Sequence, residues 1–263
     1  MNLGLEDKVA LVCGSSRGLG RAVADELAAE GASLALCSRD ADRLAATARE
    51  LEQATGAEVL SVAADLTIAG EPTRVVQTCL EQFGRLDILV ANTGGPPAGT
   101  HETLRPADWN QATGLLLSST VELATNALPA MKSRGWGRIL AVTSVAARQP
   151  VDNLMLSNSL RAAVTGFAET LAREVAKDGI TVNTILPGYT RTERVTELNE
   201  ANATREGVEP AEIQARLEAE IPLGRLAEPR EFAALAAFLV SERAGYITGG
   251  AFPVDGGWLR GLF

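Results

Sequence analysis

The sequence is poor in the residues that metal sites, disulfide frameworks and membrane spans require. Its 263 residues include one histidine, His101, and three widely spaced cysteines, Cys13, Cys37 and Cys79. An odd and dispersed set of cysteines disfavours disulfides and metal ligation, so we expect buried, reduced thiols and no bound metal. No apolar run approaches the roughly 18 residues of a membrane span, and the first residues, MNLGLEDKVA, lack the basic and apolar regions of a signal peptide. We therefore expect a cytoplasmic protein.

An excess of positive charge is also absent. The formal net charge is −9, which opposes non-specific binding to nucleic acid and to anionic membranes. Neither is expected as a partner. The composition, 46% hydrophobic and 22% charged, is ordinary for a globular protein, and the length permits one α/β domain.

Short apolar runs alternate along the chain with longer segments of helical period. The predicted strands are Val9–Val12, Ser33–Cys37, Glu58–Val62, Ile88–Val90, Arg138–Val142, Thr181–Ile185 and Ala251–Val254. The predicted helices are Gly18–Glu30, Asp40–Ala54, Pro72–Phe83, Pro106–Lys132, Ser157–Lys177 and Arg230–Ser241. This alternation favours right-handed βαβ units and a parallel sheet with helices on both faces. We predict a single domain over residues 1–263, a doubly wound sheet of Rossmann type with about seven strands. Residues 192–219 are expected to form a mobile helical excursion.

The segment CGSSRGLG, from Cys13 to Gly20, joins the first predicted strand to the first predicted helix. Glycines at 14, 18 and 20 permit a tight turn, close approach of the backbone to a pyrophosphate, and exposed N–H groups at a helix N-terminus. The spacing differs from G-x-G-x-x-G, so the motif alone also fits a glycine-rich turn that binds nothing. Its place between a strand and a helix favours a dinucleotide site.

From end to end the sequence resembles the short-chain dehydrogenase/reductase family, and within it the 3-oxoacyl-acyl-carrier-protein reductases. The family's T-G-x-x-x-G-x-G appears as Cys13–Gly20, and its N-N-A-G appears as Ala91–Gly94, changed at two positions. Further matches are Asp65-Leu66, Pro187-Gly188, Thr192, Gly249-Gly250 and Asp255-Gly256-Gly257. The resemblance implies that these residues bind a dinucleotide: Gly14, Ser16, Arg17, Gly18, Leu19, Gly20, Ser38, Arg39, Asp65, Leu66, Asn92, Gly94, Arg161, Pro187, Gly188 and Thr192.

The end of the second predicted strand indicates which dinucleotide. An acidic residue there would bind the ribose 2′-hydroxyl of NAD, whereas this chain has Ser38-Arg39 there and Arg17 in the glycine loop. Guanidinium donors suit the 2′-phosphate of NADP. Asp40 blunts the preference, and Arg39 with Asp40 also fits the exposed start of a helix. We predict NADP(H), with NAD(H) less favoured.

The catalytic segment departs from the family pattern. In the family, a tyrosine donates a proton, a lysine four residues later lowers the tyrosine pKa and holds the ribose, a serine polarises the carbonyl, and an asparagine supports a water relay. Aligning Arg161–Phe167 with K-A-A-V-x-G-F places Ser157 at the tyrosine position and Arg161 at the lysine position. The serine is kept as Ser144, and Leu116 stands where asparagine is expected. An aliphatic hydroxyl ionises far above a phenol and arginine stays protonated, so the usual proton relay cannot operate unchanged.

Other residues are candidates for the missing acid. Tyr189 follows Pro187-Gly188 on a loop that faces the nicotinamide pocket in the family, although an apolar role suits it as well. His101 follows the fourth strand, where family loops border the substrate cleft, but its context is typical of a surface loop. The implied catalytic set is therefore Ser144 as polarising group, Arg161 stabilising charge, Ser157, and Tyr189 or water as proton source.

Two functions of different class remain open. The first is an NADP(H)-dependent oxidoreductase that acts on a carbonyl or alcohol in a small molecule or acyl thioester. Convergence of Arg148, Arg161 and Arg191 would favour a substrate with a carboxylate or phosphate. The second is a catalytically silent dinucleotide-binding protein, a sensor or a structural subunit. A lyase or isomerase on the same fold is a weaker third hypothesis. The resemblance implies a homotetramer or homodimer.

Overall fold

Seven strands form one sheet in the computed structural model, which describes residues 2–262. They are β1 (Val9–Cys13), β2 (Ser33–Ser38), β3 (Val59–Ala63), β4 (Ile88–Ala91), β5 (Gly137–Val142), β6 (Ile180–Pro187) and β7 (Ala251–Val254). All neighbouring pairs are parallel, in the order β3-β2-β1-β4-β5-β6-β7. The predicted fold class is confirmed, and the predicted strands differ from these only at their ends.

Helices cover both faces of this sheet. They are α1 (Gly18–Ala29), α2 (Ala41–Thr55), α3 (Glu71–Phe83), α4 (Pro106–Thr113), α5 (Ser119–Arg134), α6 (Met155–Val175), α7 (Glu193–Glu206), α8 (Pro210–Glu220) and α9 (Pro229–Leu239). Helices α7 and α8 lie in the predicted excursion at 192–219, whose mobility stays a prediction. Among the described residues 2–262, no helix is long and apolar enough to cross a membrane.

The apolar runs form strands because both faces of a parallel sheet are buried. Every residue of β1 is buried, and Leu11 pairs with Ala35 of β2 and Leu89 of β4. One core cluster includes Val75 of α3, Leu123 of α5 and Leu171 of α6. The other includes Val23 of α1, Leu44 of α2 and Phe232 of α9. The two layers of core hold the sheet rigid beneath its loops.

The cysteines behave as the sequence predicts. Cys13, Cys37 and Cys79 are buried and free. Desolvation raises the pKa of the Cys79 thiol to about 12, so this group stays protonated and behaves as a small apolar side chain.

The predicted helix over Pro106–Lys132 is present, but it is not α-helical throughout. A π-helical turn, Gly114–Ser118, separates α4 from α5. A π-turn adds one residue to a helix, and periodicity in the sequence does not reveal such an insertion. The other predicted helices differ by one or two residues at their ends. Asp40, for example, is the N-cap of α2, and its carboxylate accepts a hydrogen bond from the Arg43 amide at 2.9 Å.

The strand order reverses beside β1. The chain passes from β1 to β2 and β3 on one side, then returns to place β4 on the other side. In open α/β sheets a crevice forms at this switch point, outside the carboxyl ends of the strands. The glycine loop and the loop after β4 both begin there.

Candidate dinucleotide and active site

The glycine loop packs against itself and against the loop after β4. Gly14 has a φ of 61°, and a Cβ there would lie 2.5 Å from the Asn92 carbonyl oxygen. A Cβ on Gly20 would overlap the Gly14 carbonyl oxygen and lie 2.8 Å from Asn92 Nδ2. Only glycine fits at both positions. Leu19, in the first turn of α1, packs against the core. The N-terminus of α1 is thereby fixed beside the switch point.

The start of α1 suits an anion. Its N-cap residue Arg17 makes no side-chain cap hydrogen bond, and the first turn has no acidic residue. The exposed N–H groups and the helix dipole therefore favour a phosphate. Gly18, with a φ of 58°, begins the helix without a side chain over these amides.

A buried serine that the sequence did not single out anchors this loop. The Ser15 amide donates to the Cys37 carbonyl at 3.2 Å, and the Cys37 amide donates to Ser15 Oγ at 3.1 Å. The predicted Ser16 is half-buried, and its carbonyl accepts from Thr47 Oγ1 at 3.4 Å. Neighbouring serines in a glycine loop carry no local signal that separates these roles.

Two arginines converge on one carboxylate at the mouth of the glycine loop. Arg17 Nη1 donates to Glu193 Oε2, and Arg43 binds both oxygens of Glu193 at 3.2 and 3.0 Å. Hydrogen bonds from Arg17 and then Arg43 hold the pKa of Glu193 below its usual range. Two guanidinium groups that bind a carboxylate at this place could bind a phosphate in the same way. Arg43, in the first turn of α2, was missed by sequence reasoning.

The other predicted residues at the adenine end lie along the carboxyl ends of β2 and β3. Ser38 Oγ donates to the Asp40 carbonyl at 3.3 Å, and Arg39 is exposed. Asp65 accepts from the amide and hydroxyl of Thr67, at 3.0 and 2.7 Å. The Thr67 amide is the largest cause that lowers the Asp65 pKa, and Arg39 adds to it. Leu66 beside it is buried in the core.

The loop after β6 returns to the glycine loop. Pro187 ends β6, and the Gly188 amide donates to the Val254 carbonyl at 3.0 Å. Thr192 is the N-cap residue of α7, and its methyl carbon lies 3.6 Å from the position of a Cβ on Gly18. This loop therefore spans the crevice between the two ends of the proposed cofactor site.

Ser144 lies directly after β5 at the carboxyl edge of the sheet. Its Oγ accepts a hydrogen bond from the Ala146 amide at 3.1 Å, where it caps the short 3₁₀ turn Val145–Ala147. The hydroxyl is half-buried and retains its own proton for donation. Ser157 is in the first turn of α6 and 8% exposed.

Arg161, one turn after Ser157, is buried and holds two loops together. Its Nη1 donates to the Val142 carbonyl at 2.6 Å, its Nη2 donates to the Gly94 carbonyl, and its Nε is buried without a partner. Burial, and then the nearby Arg194, lower the pKa of Arg161 to about 10, so it remains protonated at neutral pH. Within residues 2–262 no carboxylate pairs with this cation. The guanidinium has more N–H donors than these bonds use.

The predicted convergence of Arg148, Arg161 and Arg191 is wrong. Arg148 Nη2 donates to the Ala251 carbonyl at 2.9 Å, and Arg191 pairs with Glu228 at 2.9 Å. Both side chains have partners of their own, and neither is among the charges that shift the pKa of Arg161. The cation near Arg161 is Arg194, whose Nη2 donates to the Pro96 carbonyl at 2.8 Å. Arg194 lies on α7, far from Arg161 along the chain, so the sequence did not indicate that the two are close.

Tyr189 belongs to an apolar cluster. Its ring meets the Trp258 ring edge-on, with centroids 5.8 Å apart and an interplanar angle of 87°. The cluster also contains Val145, Ile221 and Leu226. Desolvation raises the pKa of Tyr189 to about 12, and Glu220 and Asp152 add to the shift. The phenol is therefore a poorer proton donor than a free tyrosine.

Leu116, at the position of the expected asparagine, is buried in the π-turn. It packs in a cluster with Ala112, Leu156 and Leu160, which surrounds the start of α6 with apolar groups. His101 is 78% exposed and lies 4.0 Å from Glu102, on the surface.

Known proteins are similar to this chain in sequence and in fold. A family model described as enoyl-(acyl carrier protein) reductase matches residues 14–259. The D-beta-hydroxybutyrate dehydrogenase of Cupriavidus necator is 35% identical over 257 residues, which are 97% of this chain and 99% of that protein. The 3-oxoacyl-acyl-carrier-protein reductase of Escherichia coli is 32% identical over 255 residues, 97% and 98% of the two chains. The chain belongs to the short-chain dehydrogenase/reductase family.

A solved member of this short-chain dehydrogenase/reductase family resembles the whole structure. The L-sorbose reductase of Gluconobacter frateurii, in complex with NADPH and L-sorbose, has a TM-score of 0.95 and 37% identity, and the match covers 100% of both chains. The glycine loop, the switch point and the C-terminal strand therefore lie in a fold that this relative shares. Leu116, Ser157 and Arg161 lie in the same fold.

The close contact within the glycine loop can be tested by a pair of glycine substitutions. We expect Gly20→Ala to lower the free energy of unfolding by about 1–3 kcal/mol, because the added Cβ overlaps the Gly14 carbonyl oxygen. The control is Gly166→Ala on α6, where a Cβ meets nothing within 4 Å. It should stabilise the protein by about 0.5–1 kcal/mol, since alanine favours helix. Urea unfolding measures both, and equal effects would contradict the assigned packing.

The state of Tyr189 can be measured by absorbance. Tyr189 and the fully exposed Tyr246 are the two tyrosines, so Tyr246→Phe leaves one phenol. We expect it to ionise near pH 12, because the apolar cluster disfavours phenolate. Since the unfolded phenol ionises near pH 10, this group's contribution to stability should fall as pH rises above about 10. Phenolate absorbance near neutral pH would instead identify Tyr189 as a base.

Proposed function

We propose that this protein binds NADP(H) across the switch point and reduces a carbonyl, or oxidises the corresponding alcohol, in a small molecule or acyl thioester. The observation that carries the proposal is the glycine loop, whose helix N-terminus and converging Arg17 and Arg43 suit the phosphates of the cofactor. The relative solved with NADPH supports this choice of nucleotide.

The cofactor site fits the residues present. The glycine loop receives the pyrophosphate, while Arg17, Arg39 and Arg43 bind the 2′-phosphate. Asp65 and Leu66 border the adenine, and Asn92 and Gly94 approach the ribose. A Cβ on Gly94 would meet nothing within 4 Å, so this part of the crevice is open.

The nicotinamide end is formed by the other side of the crevice. Pro187, Gly188 and Thr192 would border the nicotinamide, and Arg161 binds the Gly94 carbonyl in the loop after β4. When bound, NADPH supplies the hydride.

The oligomeric state and the cytoplasmic location stay predictions from the sequence.

The chain's own groups then handle the charge that develops on the substrate. Ser144 donates its hydroxyl proton in a hydrogen bond to the carbonyl oxygen, and the Arg161 cation stabilises negative charge on that oxygen. Since Arg161 stays protonated and Tyr189 holds its proton tightly, we assign the final proton to bulk solvent, from which a water molecule relays it to the alkoxide. Ser157 is shorter than a tyrosine by a whole ring.

The cofactor assignment is tested by titration. NADPH binding, followed through nicotinamide fluorescence, should be tighter than NADH binding by about 10- to 100-fold, as expected for charge-assisted hydrogen bonds to a phosphate. Tighter binding of NADH would overturn the choice of NADP(H). Absence of binding by either nucleotide would reject the proposed function.

A second candidate, a silent dinucleotide-binding protein, is favoured by one observation. Both terminal nitrogens of Arg161 bind backbone carbonyls, so this side chain also has a purely structural use. Selective NADPH binding without oxidation over a panel of aldehydes, ketones and 3-oxoacyl thioesters would support this alternative. Turnover of any of them would support the oxidoreductase.

The catalytic roles predict a contrast between two serines. Ser144→Ala should lower kcat/KM by about two orders of magnitude, because it removes a hydrogen-bond donor to the developing oxyanion. Ser157→Ala should change kcat/KM by less than about twofold, since water supplies the proton in the proposed mechanism. Unchanged turnover in Ser144→Ala would remove Ser144 from the mechanism. A large loss in Ser157→Ala would make that hydroxyl part of the proton path.

A further inference from the structure

An acidic side chain of α7 occupies the cationic mouth of the glycine loop. Glu193, the first residue of α7, binds Arg17 with one oxygen and Arg43 with both. Glu197, one turn later, lies 3.6 Å from Arg17. One carboxylate thus joins the N-cap residue of α1, the first turn of α2 and the first turn of α7.

This arrangement differs from an isolated surface ion pair. Arg17, Arg43 and Glu193 are each about half-exposed, and single pairs of that kind contribute little to stability. Here the bidentate geometry at Arg43 and the bond to Arg17 place the carboxylate between two cations. Its position is the place where an incoming phosphate would bind.

We infer that Glu193 is a tethered competitor of the cofactor's 2′-phosphate, and that Arg43 is a ligand of that phosphate together with Arg17. The inference rests on the proposed NADP(H) site. A phosphate that enters between the arginines must displace Glu193, because two anions cannot share that position without repulsion. NADH has no 2′-phosphate and leaves the cluster in place. Glu193 therefore weakens binding of NADPH selectively.

The first turn of α7 also contacts the loop that follows β4. Arg194, adjacent to Glu193, donates to the Pro96 carbonyl at 2.8 Å in that loop.

The test compares charge-neutral variants of α7. Dissociation constants for NADPH and NADH are measured for the wild type, Glu193→Gln and Glu200→Gln. Glu200→Gln is the matched control, because it removes the same charge from an exposed position on the same helix. Glu193→Gln should tighten NADPH binding by about three- to tenfold and change NADH binding by less than about twofold. Glu200→Gln should change neither beyond about twofold.

A second pair of variants tests Arg43. Arg43→Gln should weaken NADPH binding, whereas Arg49→Gln, on the same helix and also exposed, should not. In the Arg43→Gln background, Glu193→Gln should tighten NADPH binding less than it does alone, because the two residues share a contact. Equal effects of Glu193→Gln in both backgrounds would remove Arg43 from the competition.

The outcomes separate this inference from the proposed function. If the wild type binds NADPH and Glu193→Gln binds it equally or more weakly, Glu193 is no competitor and the proposed function stands. If the wild type binds NADPH and Glu193→Gln binds it more tightly while NADH binding is unchanged, the competition is established. If the wild type binds neither nucleotide, both the inference and the proposed function fall.

Discussion

The contact between two stretches of backbone at the switch point is the constraint on which the site depends. Gly14 and Gly20 approach each other and Asn92 so closely that neither position has room for a Cβ. This contact turns the chain sharply from β1 into α1 and aims the helix N-terminus at the crevice. Ser15 then ties the turn to β2. The N-terminal amides of α1 are therefore fixed by packing within the protein.

Charged side chains surround the turn that the backbone forms. The chain carries a net charge of −9, yet Arg17 and Arg43 converge at the glycine loop. Glu193 binds both of these cations. This carboxylate comes from α7, which also carries Arg194 and its contact with the loop after β4.

The catalytic segment is altered in a way that the packing accommodates. Leu116 is buried with Leu156 and Leu160, so its apolar side chain has a place beside α6. Arg161 is buried by bonds to two backbone carbonyls, which partly offset the cost of an unpaired charge. The start of α6 thus has apolar neighbours, among which Arg161 Nε is buried without a hydrogen-bond partner.

The sequence by itself determined the parallel sheet and the glycine loop, because these depend on local periodicity and motif spacing. The roles expected of Ser144, Ser157 and Arg161 came from the resemblance to the family. Only the tertiary structure decided which side chains meet across the crevice. Glu193 contacts residues that lie 176 and 150 positions away, and no local pattern encodes such pairs. The π-helical turn was not predicted for a local reason: a single inserted residue leaves helical periodicity almost unchanged. Long-range electrostatics and packing, which require the fold, bring Glu193 to Arg17 and Arg43 and place Arg194 near Arg161.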